Sequence, residues 1–124
     1  CIRDRISICG ITQVSQLKDG AIKTFEMTPE AHGFKRVSPE AIKGGDAQAN
    51  AEIIRNVLSG EKGPRREVVL LNAAAAFVAA GFDDSFKEGI ERAKGALDSG
   101  RAKDKLDALI DFSRQFDFFV RRAI

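Results

Sequence analysis

The stretch SGEKGPRREVVLLNAAAAF, residues 59–77, decides the fold class, because a glycine-bounded loop leads there into an unusually apolar helix. Proline is favoured at the first position of a helix, so this helix is predicted to begin at Pro64. It runs to about Ala80, where Gly81 is a typical stop signal. From Val68 to Ala80 only Asn72 is polar. A helix that is apolar on every side is buried on every side, so we expect other elements to surround it, and a larger sheet would do so more easily than one hairpin and four helices. If the helix belongs to such a larger domain, this chain alone is expected to expose apolar surface.

Residues 6–28, ahead of this helix, are predicted to form a pair of strands. Apolar residues are interleaved with small polar ones over most of this range. Asp19-Gly20 is a typical hairpin turn between two such runs, and Pro29 ends the second run. Gly10 interrupts the alternation and indicates a bulge or bend in the first strand.

Further helices are predicted on both sides of the apolar helix by capping residues and by glycines that end helices. The residues that cap or end them are Ser38, Gly44, Asp46, Gly60, Asp83 or Asp84, and Gly100. The expected fold is therefore α/β, with a β-hairpin followed by four to five helices. We divide the chain into a strand pair (1–37), a helical part (38–116) and a tail (117–124).

The composition excludes some classes of partner. The chain has 124 residues and a formal net charge of +2, without the basic stripe that is typical of nucleic-acid-binding proteins. No apolar run is long enough to cross a bilayer. Cys1 and Cys9 fit no metal-binding spacing, so the favoured interpretation is two reduced thiols in a cytoplasmic protein.

Two glycine-containing loops are candidate phosphate sites, because helix N-termini attract anions. In the first loop, Gly60 to Arg66, two arginines would help, but Pro64 removes an amide donor and the P-loop pattern is absent. In the second loop, Gly44-Gly45-Asp46, the aspartate puts a negative charge where the anion would sit. For both loops we favour a helix boundary over a phosphate site.

Three single residues are weaker candidates. His32, with Glu26 and Glu30 nearby in sequence, is compatible with a base or metal site, although a loop residue is the favoured interpretation. Asn72 must find hydrogen-bond partners if it is buried; neighbouring backbone is the expected partner and a substrate the alternative. Asp4 precedes a predicted strand, where carboxylates commonly bind magnesium beside phosphorylated substrates. The alternative for Asp4 is a solvated charged terminus.

The stretch IKGGDAQANAEIIRNVLSGEKGPRREVVLLNAAAAF, residues 42–77, resembles the carboxy-terminal part of anthranilate phosphoribosyltransferases. The flanks agree: ISICGITQVSQLKDGAIKTFEMTPEAHGFKR, residues 6–36, resembles the family's strand pair, and SFKEGIERAKGALDSGRAKDKLDALI, residues 85–110, resembles its last two helices. The resemblance extends from about Asp4 to Phe116, and the tail 117–124 lies outside it.

The resemblance implies a part of an enzyme. The family joins anthranilate to 5-phosphoribosyl-1-pyrophosphate and releases pyrophosphate, in tryptophan biosynthesis. Its fold is similar to that of the pyrimidine nucleoside phosphorylases, with an active site between a small helical domain and a larger α/β domain. The family's Gly-Thr-Gly-Gly-Asp diphosphate loop has no counterpart here, so we expect this chain alone to be inactive. A homo-oligomeric, cytoplasmic parent protein with no nucleic-acid or membrane partner is implied.

The resemblance also implies one metal ligand. In the family, an Asp-Glu pair directly before an Ile-Ser strand ligates magnesium carried by the diphosphate. Aligned on Ile6-Ser7, the pair becomes Asp4-Arg5, so Asp4 matches and Arg5 departs from the pattern. Asp4 is therefore the implied Mg²⁺ ligand, and no catalytic or other cofactor-binding residue is predicted. The alternative functions are a pyrimidine nucleoside phosphorylase relative and a non-catalytic helical interaction module.

Overall fold

The computed structural model describes residues 5–122, with side chains described over residues 5–115. A β-hairpin is followed by four α-helices, which confirms the predicted α/β fold class. The elements are β1 (Thr12–Lys18), β2 (Ala21–Met27), α1 (Ala47–Leu58), α2 (Pro64–Ala79), α3 (Phe86–Asp98) and α4 (Arg101–Arg122). Two short 3-10 helices, Glu30–His32 and Pro39–Ile42, connect the hairpin to α1. The second of them is the helix that the sequence predicts from Ser38.

The hairpin turn is the one that the sequence predicts. β1 and β2 are antiparallel, and a two-residue turn joins the pair Lys18 and Ala21. Asp19 and Gly20 have φ angles of 52° and 78°. Both are positive, as a type I′ turn requires, and this turn matches the twist of the flanking strands.

The first strand begins at Thr12, so the prediction that it begins at Ile6 is wrong. The backbone of residues 6–8 bonds outside the strand ladder. The Ile6 amide donates to the side chain of Asn72, and the Ile8 carbonyl accepts from the amide of Val37. The apolar residues of this segment are buried without belonging to a strand, because side chain and loop groups satisfy their backbone.

The predicted helix starts are correct at α1 and α2 and wrong at α3. Asp46 caps α1, since its Oδ1 accepts from the amide of Ala49 at 2.8 Å. The cap of α3 is Ser85, which forms a capping box with Glu88, and not Asp83 or Asp84. Asp83 is not free to cap, because Arg92 holds both of its carboxylate oxygens, at 2.7 and 2.9 Å.

The core lies where α2 meets α3 and the segment before the hairpin. Its side chains form two clusters: Ile6, Ile8, Met27, Leu71, Ala74 and Ile90 in the first, and Leu70, Ala93 and Leu97 in the second. α2 and α3 approach closely because Gly89 faces Ala74. A Cβ atom on Gly89 would lie 2.9 Å from the Ala74 Cα.

Within the described residues α2 is covered on one side only, which agrees with the expectation that this chain alone exposes apolar surface. Leu70, Leu71 and Ala74 are buried, whereas Val69 is 39% exposed, and Ala76 and Ala79 are exposed. The hairpin segment and α3 cover the first side. Among the described residues no element covers the second side.

No helix in the described part of the chain combines the length and apolar character needed to cross a bilayer.

Candidate functional site

Both arginines in the first turn of α2 are bonded to other parts of the fold. Arg65 donates from Nη2 to the carbonyl oxygen of Lys43 at 2.9 Å, and Arg66 donates from Nη2 to Asp98 Oδ1 at 2.8 Å. Arg66 is only 4% exposed. Two further nitrogens, Arg65 Nε and Arg66 Nη1, are buried and have no hydrogen-bond partner among the described residues. The geometry therefore favours a helix entry over a phosphate site.

The loop Gly44-Gly45-Asp46 is likewise a helix boundary. Asn50 accepts from the Gly45 amide through Oδ1 and donates from Nδ2 to the Gly45 carbonyl, both at 2.9 Å. Asp46 is occupied as the cap of α1. The Gly45 amide that would hold a phosphate is thus already bonded to a side chain.

His32 packs against Phe86, with ring centroids 5.3 Å apart. Its neighbour Glu30 is held by Arg36, whose Nε lies 3.1 Å from the carboxylate. The backbone amide of Glu30 itself and the Arg36 guanidinium lower the pKa of the Glu30 carboxyl below its ordinary value. These contacts favour a structural role for His32, at the end of the 3-10 helix Glu30–His32, over a base or metal site. Of the two cysteines, Cys9 is a half-buried free thiol, and Cys1 lies outside the described residues.

Asn72 clamps the backbone of Ile6 to α2, as the sequence predicts for a lone amide in an apolar helix. Its Oδ1 accepts from the amide of Ile6, and its Nδ2 donates to the carbonyl of Ile6, both at 2.9 Å. Nδ2 also donates to the Val68 carbonyl, one turn earlier in α2, at 2.8 Å. With these three bonds made, Asn72 is a structural residue that fixes the segment directly after Asp4 and Arg5.

Asp4, the implied magnesium ligand, lies outside the described residues, and its role stays a prediction. Arg5 is described and exposed. Between residues 5 and 115, no three His, Cys, Asp or Glu side chains come together as a metal site. A guanidinium next to Asp4 also opposes a divalent cation. The donor set described here does not fit a magnesium site by itself, and we derive no reaction step through the metal.

Two open grooves flank the exposed side of α2, and Arg5 lines both. The groove between α1 and α2 has a volume of about 340 Å³, and the groove between β1 and α2 about 530 Å³. The sequence predicts exposed apolar surface on this chain alone, but it does not locate these grooves. Asn72 was the available signal, since a lone amide in an apolar helix marks a place where another backbone docks.

Comparisons with known proteins agree on one family. Residues 2–103 match the family model described as "Glycosyl transferase family, a/b domain". The anthranilate phosphoribosyltransferase of Desulfosudis oleivorans is 47% identical over 112 residues, which are 90% of this chain and 33% of that protein.

Solved structures give the same result. The anthranilate phosphoribosyltransferase of Thermus thermophilus superposes with a TM-score of 0.77 at 39% identity, over 87% of this chain and 32% of that chain. A variant of the Saccharomyces cerevisiae anthranilate phosphoribosyltransferase with Mg bound superposes with a TM-score of 0.76 at 28% identity, over 88% and 32%. This chain spans about a third of the length of the curated relatives that it matches. On the match over residues 2–103 and the similarity to these enzymes, the chain belongs to the glycosyl transferase family with an a/b domain.

Proposed function

We propose that this chain is the carboxy-terminal part of an anthranilate phosphoribosyltransferase. The whole protein would transfer the phosphoribosyl group of 5-phosphoribosyl-1-pyrophosphate to anthranilate, with release of pyrophosphate, in tryptophan biosynthesis. The observation that carries the proposal is the 47% identity to such an enzyme over 90% of the chain. The similarity of the fold to the enzyme of Thermus thermophilus, at a TM-score of 0.77, supports it.

Within that protein the chain would serve mainly as scaffold. Its glycine loops are occupied by internal contacts, and Asn72 fixes Ile6, two residues after the proposed metal ligand Asp4. The division into a strand pair (1–37), a helical part (38–116) and a tail (117–124) belongs to the same proposal. So do a magnesium requirement, a cytoplasmic location and a homo-oligomeric parent protein. The Mg-bound structure of the yeast relative supports the magnesium requirement at the level of the family.

A chimera tests this function. In the Desulfosudis oleivorans relative, the segment that matches this chain is replaced by the chain itself, once with Arg5 and once with Arg5→Glu. Anthranilate fluorescence is followed with 5-phosphoribosyl-1-pyrophosphate and magnesium, and the unmodified relative is the control. We expect both chimeras to consume anthranilate only when the second substrate is present.

The paired design separates two causes of failure. If only the Arg5→Glu chimera is active, the family assignment stands and Arg5 weakens the metal site. If both chimeras fold and neither consumes anthranilate, the proposal is wrong. Phosphorolysis of a pyrimidine nucleoside by those chimeras would then favour the phosphorylase alternative, and absence of both activities would favour an interaction module.

A further inference from the structure

The charged residues around the two grooves beside α2 are all cations. Arg5 lines both grooves, and Arg65 lines the groove between α1 and α2. Neither lining contains an aspartate or a glutamate. The groove between β1 and α2 adds the hydroxyl group of Thr12 and the amide of Gln13, both of which can donate hydrogen bonds. Within the described residues, the surroundings of Arg5 therefore suit an anion better than a divalent cation.

The guanidinium group of Arg5 is available to bind such an anion. Arg5 is exposed, and among residues 5–115 no hydrogen bond or ion pair holds its side chain. By contrast, Arg36, Arg66 and Arg92 are each bonded to a carboxylate. A guanidinium presents a planar set of N–H donors that matches two oxygens of one phosphate group.

The backbone that carries Arg5 is fixed to α2. Asn72 Oδ1 accepts from the Ile6 amide at 2.9 Å, and this amide belongs to the peptide unit that joins Arg5 to Ile6. Asn72 Nδ2 donates to the Ile6 carbonyl, also at 2.9 Å, and to the Val68 carbonyl at 2.8 Å. A side chain on a fixed backbone loses less conformational freedom on binding than one on a free terminus. Arg5 is thus held for binding at a defined place.

The pair Asp4-Arg5 differs in charge from the pair that the resemblance implies as a magnesium site. An Asp-Glu pair carries a negative charge on each residue, whereas the charges of Asp4 and Arg5 cancel. Magnesium is bound through carboxylate oxygens, and a guanidinium supplies none. A guanidinium does, however, bind phosphate oxygens directly. The position that would attract a diphosphate through a metal ion therefore carries a positive charge of its own.

We propose that Arg5 binds the diphosphate group of 5-phosphoribosyl-1-pyrophosphate directly, in place of the magnesium ion that the resemblance implies at Asp4. This proposal rests on the proposed function for the identity of the ligand. It concerns this position only and leaves the magnesium requirement of the whole protein in place. Its consequence is that the contribution of Arg5 to diphosphate binding does not depend on magnesium.

Calorimetric titration with inorganic pyrophosphate tests the proposal in the chimera with the Desulfosudis oleivorans relative. The parent chimera and its Arg5→Gln, Arg5→Lys and Arg5→Glu variants are titrated once in excess EDTA and once in magnesium. The matched control is Arg55→Gln in α1. Arg55 is exposed, lies outside both groove linings and, like Arg5, has no hydrogen bond or ion pair among residues 5–115. Circular dichroism shows whether each variant is folded.

In EDTA, we expect Arg5→Gln to bind pyrophosphate more than about tenfold more weakly than the parent chimera, because a charge-assisted contact is lost. Arg5→Lys keeps the charge without the planar donors, so its affinity should lie between these two. Arg5→Glu should lose binding in EDTA and regain it in magnesium, because two adjacent carboxylates attract the metal ion. Arg55→Gln should bind as the parent does.

Equal affinities of the parent and Arg5→Gln for pyrophosphate in EDTA overturn the proposal. So does a parent chimera that binds pyrophosphate only in magnesium, or an equal loss in Arg5→Gln and Arg55→Gln, which would indicate general attraction to surface charge. The isolated chain contains Arg5 and Asn72, so the same order of affinities is expected there, and a chimera that does not fold leaves this second measurement to decide.

Binding of pyrophosphate is measured without turnover, so the proposal and the proposed function can fail separately. If pyrophosphate binds through Arg5 but folded chimeras do not consume anthranilate, the assignment of Arg5 stands and the proposed function is wrong. If the chimeras consume anthranilate and Arg5→Gln binds pyrophosphate as tightly as the parent, the proposed function stands and the assignment of Arg5 is wrong.

Discussion

The contact between α2 and α3 predicts opposite effects for two glycine-to-alanine substitutions in the same helix. In Gly89→Ala, the new Cβ would lie 2.9 Å from the Ala74 Cα, 3.0 Å from its Cβ and 3.0 Å from its carbonyl oxygen. Carbon atoms pack best at about 3.5–4.0 Å, so α2 and α3 must separate by roughly 0.8 Å. Two of the three obstructing atoms belong to the backbone, which cannot rotate away.

The magnitude follows from two opposing terms. Overpacking of a tight contact costs about 1–3 kcal/mol, and replacing glycine by alanine in a helix gains about 1 kcal/mol. Gly89→Ala should therefore lower the free energy of unfolding by about 1 kcal/mol. Gly95→Ala is the matched control, because its Cβ would have no atom within 4 Å. It should raise the free energy of unfolding by about 1 kcal/mol.

Urea denaturation of the isolated chain, followed by helical circular dichroism, measures both variants under the same conditions. The expected difference between them is about 2 kcal/mol, with unchanged dependence on urea. If Gly89→Ala is as stable as Gly95→Ala, then α2 and α3 are not in close contact, and the description of the core is wrong.

Three further predictions concern single contacts. Asn72→Leu should lower the free energy of unfolding by about 2–4 kcal/mol, because it leaves the amide and carbonyl of Ile6 without partners; equal urea midpoints for variant and parent would refute the clamp. Arg36→Ala should raise the pKa of Glu30 toward its ordinary value in a carboxyl NMR titration. Because folding lowers the pKa of Glu30, its pair with Arg36 stabilises the fold above the ordinary pKa of the carboxyl, and this stabilisation is lost as the pH falls through the folded pKa. Identical titration curves for Arg36→Ala and the parent would contradict this. Arg5→Glu in the chimera should tighten magnesium binding on the order of tenfold in calorimetric titration with the diphosphate substrate present, and an unchanged affinity would mean that Asp4 is not the metal residue.

The features that the sequence predicts correctly depend on local interactions. Asp19-Gly20 specifies its turn through positive φ angles, and Pro64 fits the first position of α2. Asp46 bonds an amide three residues away. In each case the deciding interaction lies within a few residues, so the sequence pattern contains it.

The incorrect predictions involve residues that are distant in sequence. The first strand starts late because Asn72, 66 residues away, bonds the backbone of Ile6. The capping residue of α3 is misassigned because Arg92, nine residues away, holds Asp83. Bonds between residues that are distant in sequence cannot be predicted from helix or strand propensity or from residue spacing, because these describe one segment at a time.

The proposed metal ligand Asp4 could be predicted only from the resemblance of this sequence to anthranilate phosphoribosyltransferases. No glycine loop, histidine or cysteine of the described chain forms a site, whereas the block from Gly44 to Ala76 indicates the family directly. The sequence predicts that this chain alone exposes apolar surface, but it does not predict which side of α2 is exposed. An apolar helix predicts burial, but its sequence does not say whether the covering elements belong to the same segment.

Anthranilate consumption by the pure, isolated chain tests the central claim most directly. The assay contains 5-phosphoribosyl-1-pyrophosphate and magnesium, and the unmodified Desulfosudis oleivorans relative measured in parallel shows that the substrates are competent. We expect no turnover above that of the buffer, because the chain supplies scaffold and a single proposed metal ligand. Sustained turnover by the isolated chain that depends on both substrates would contradict it.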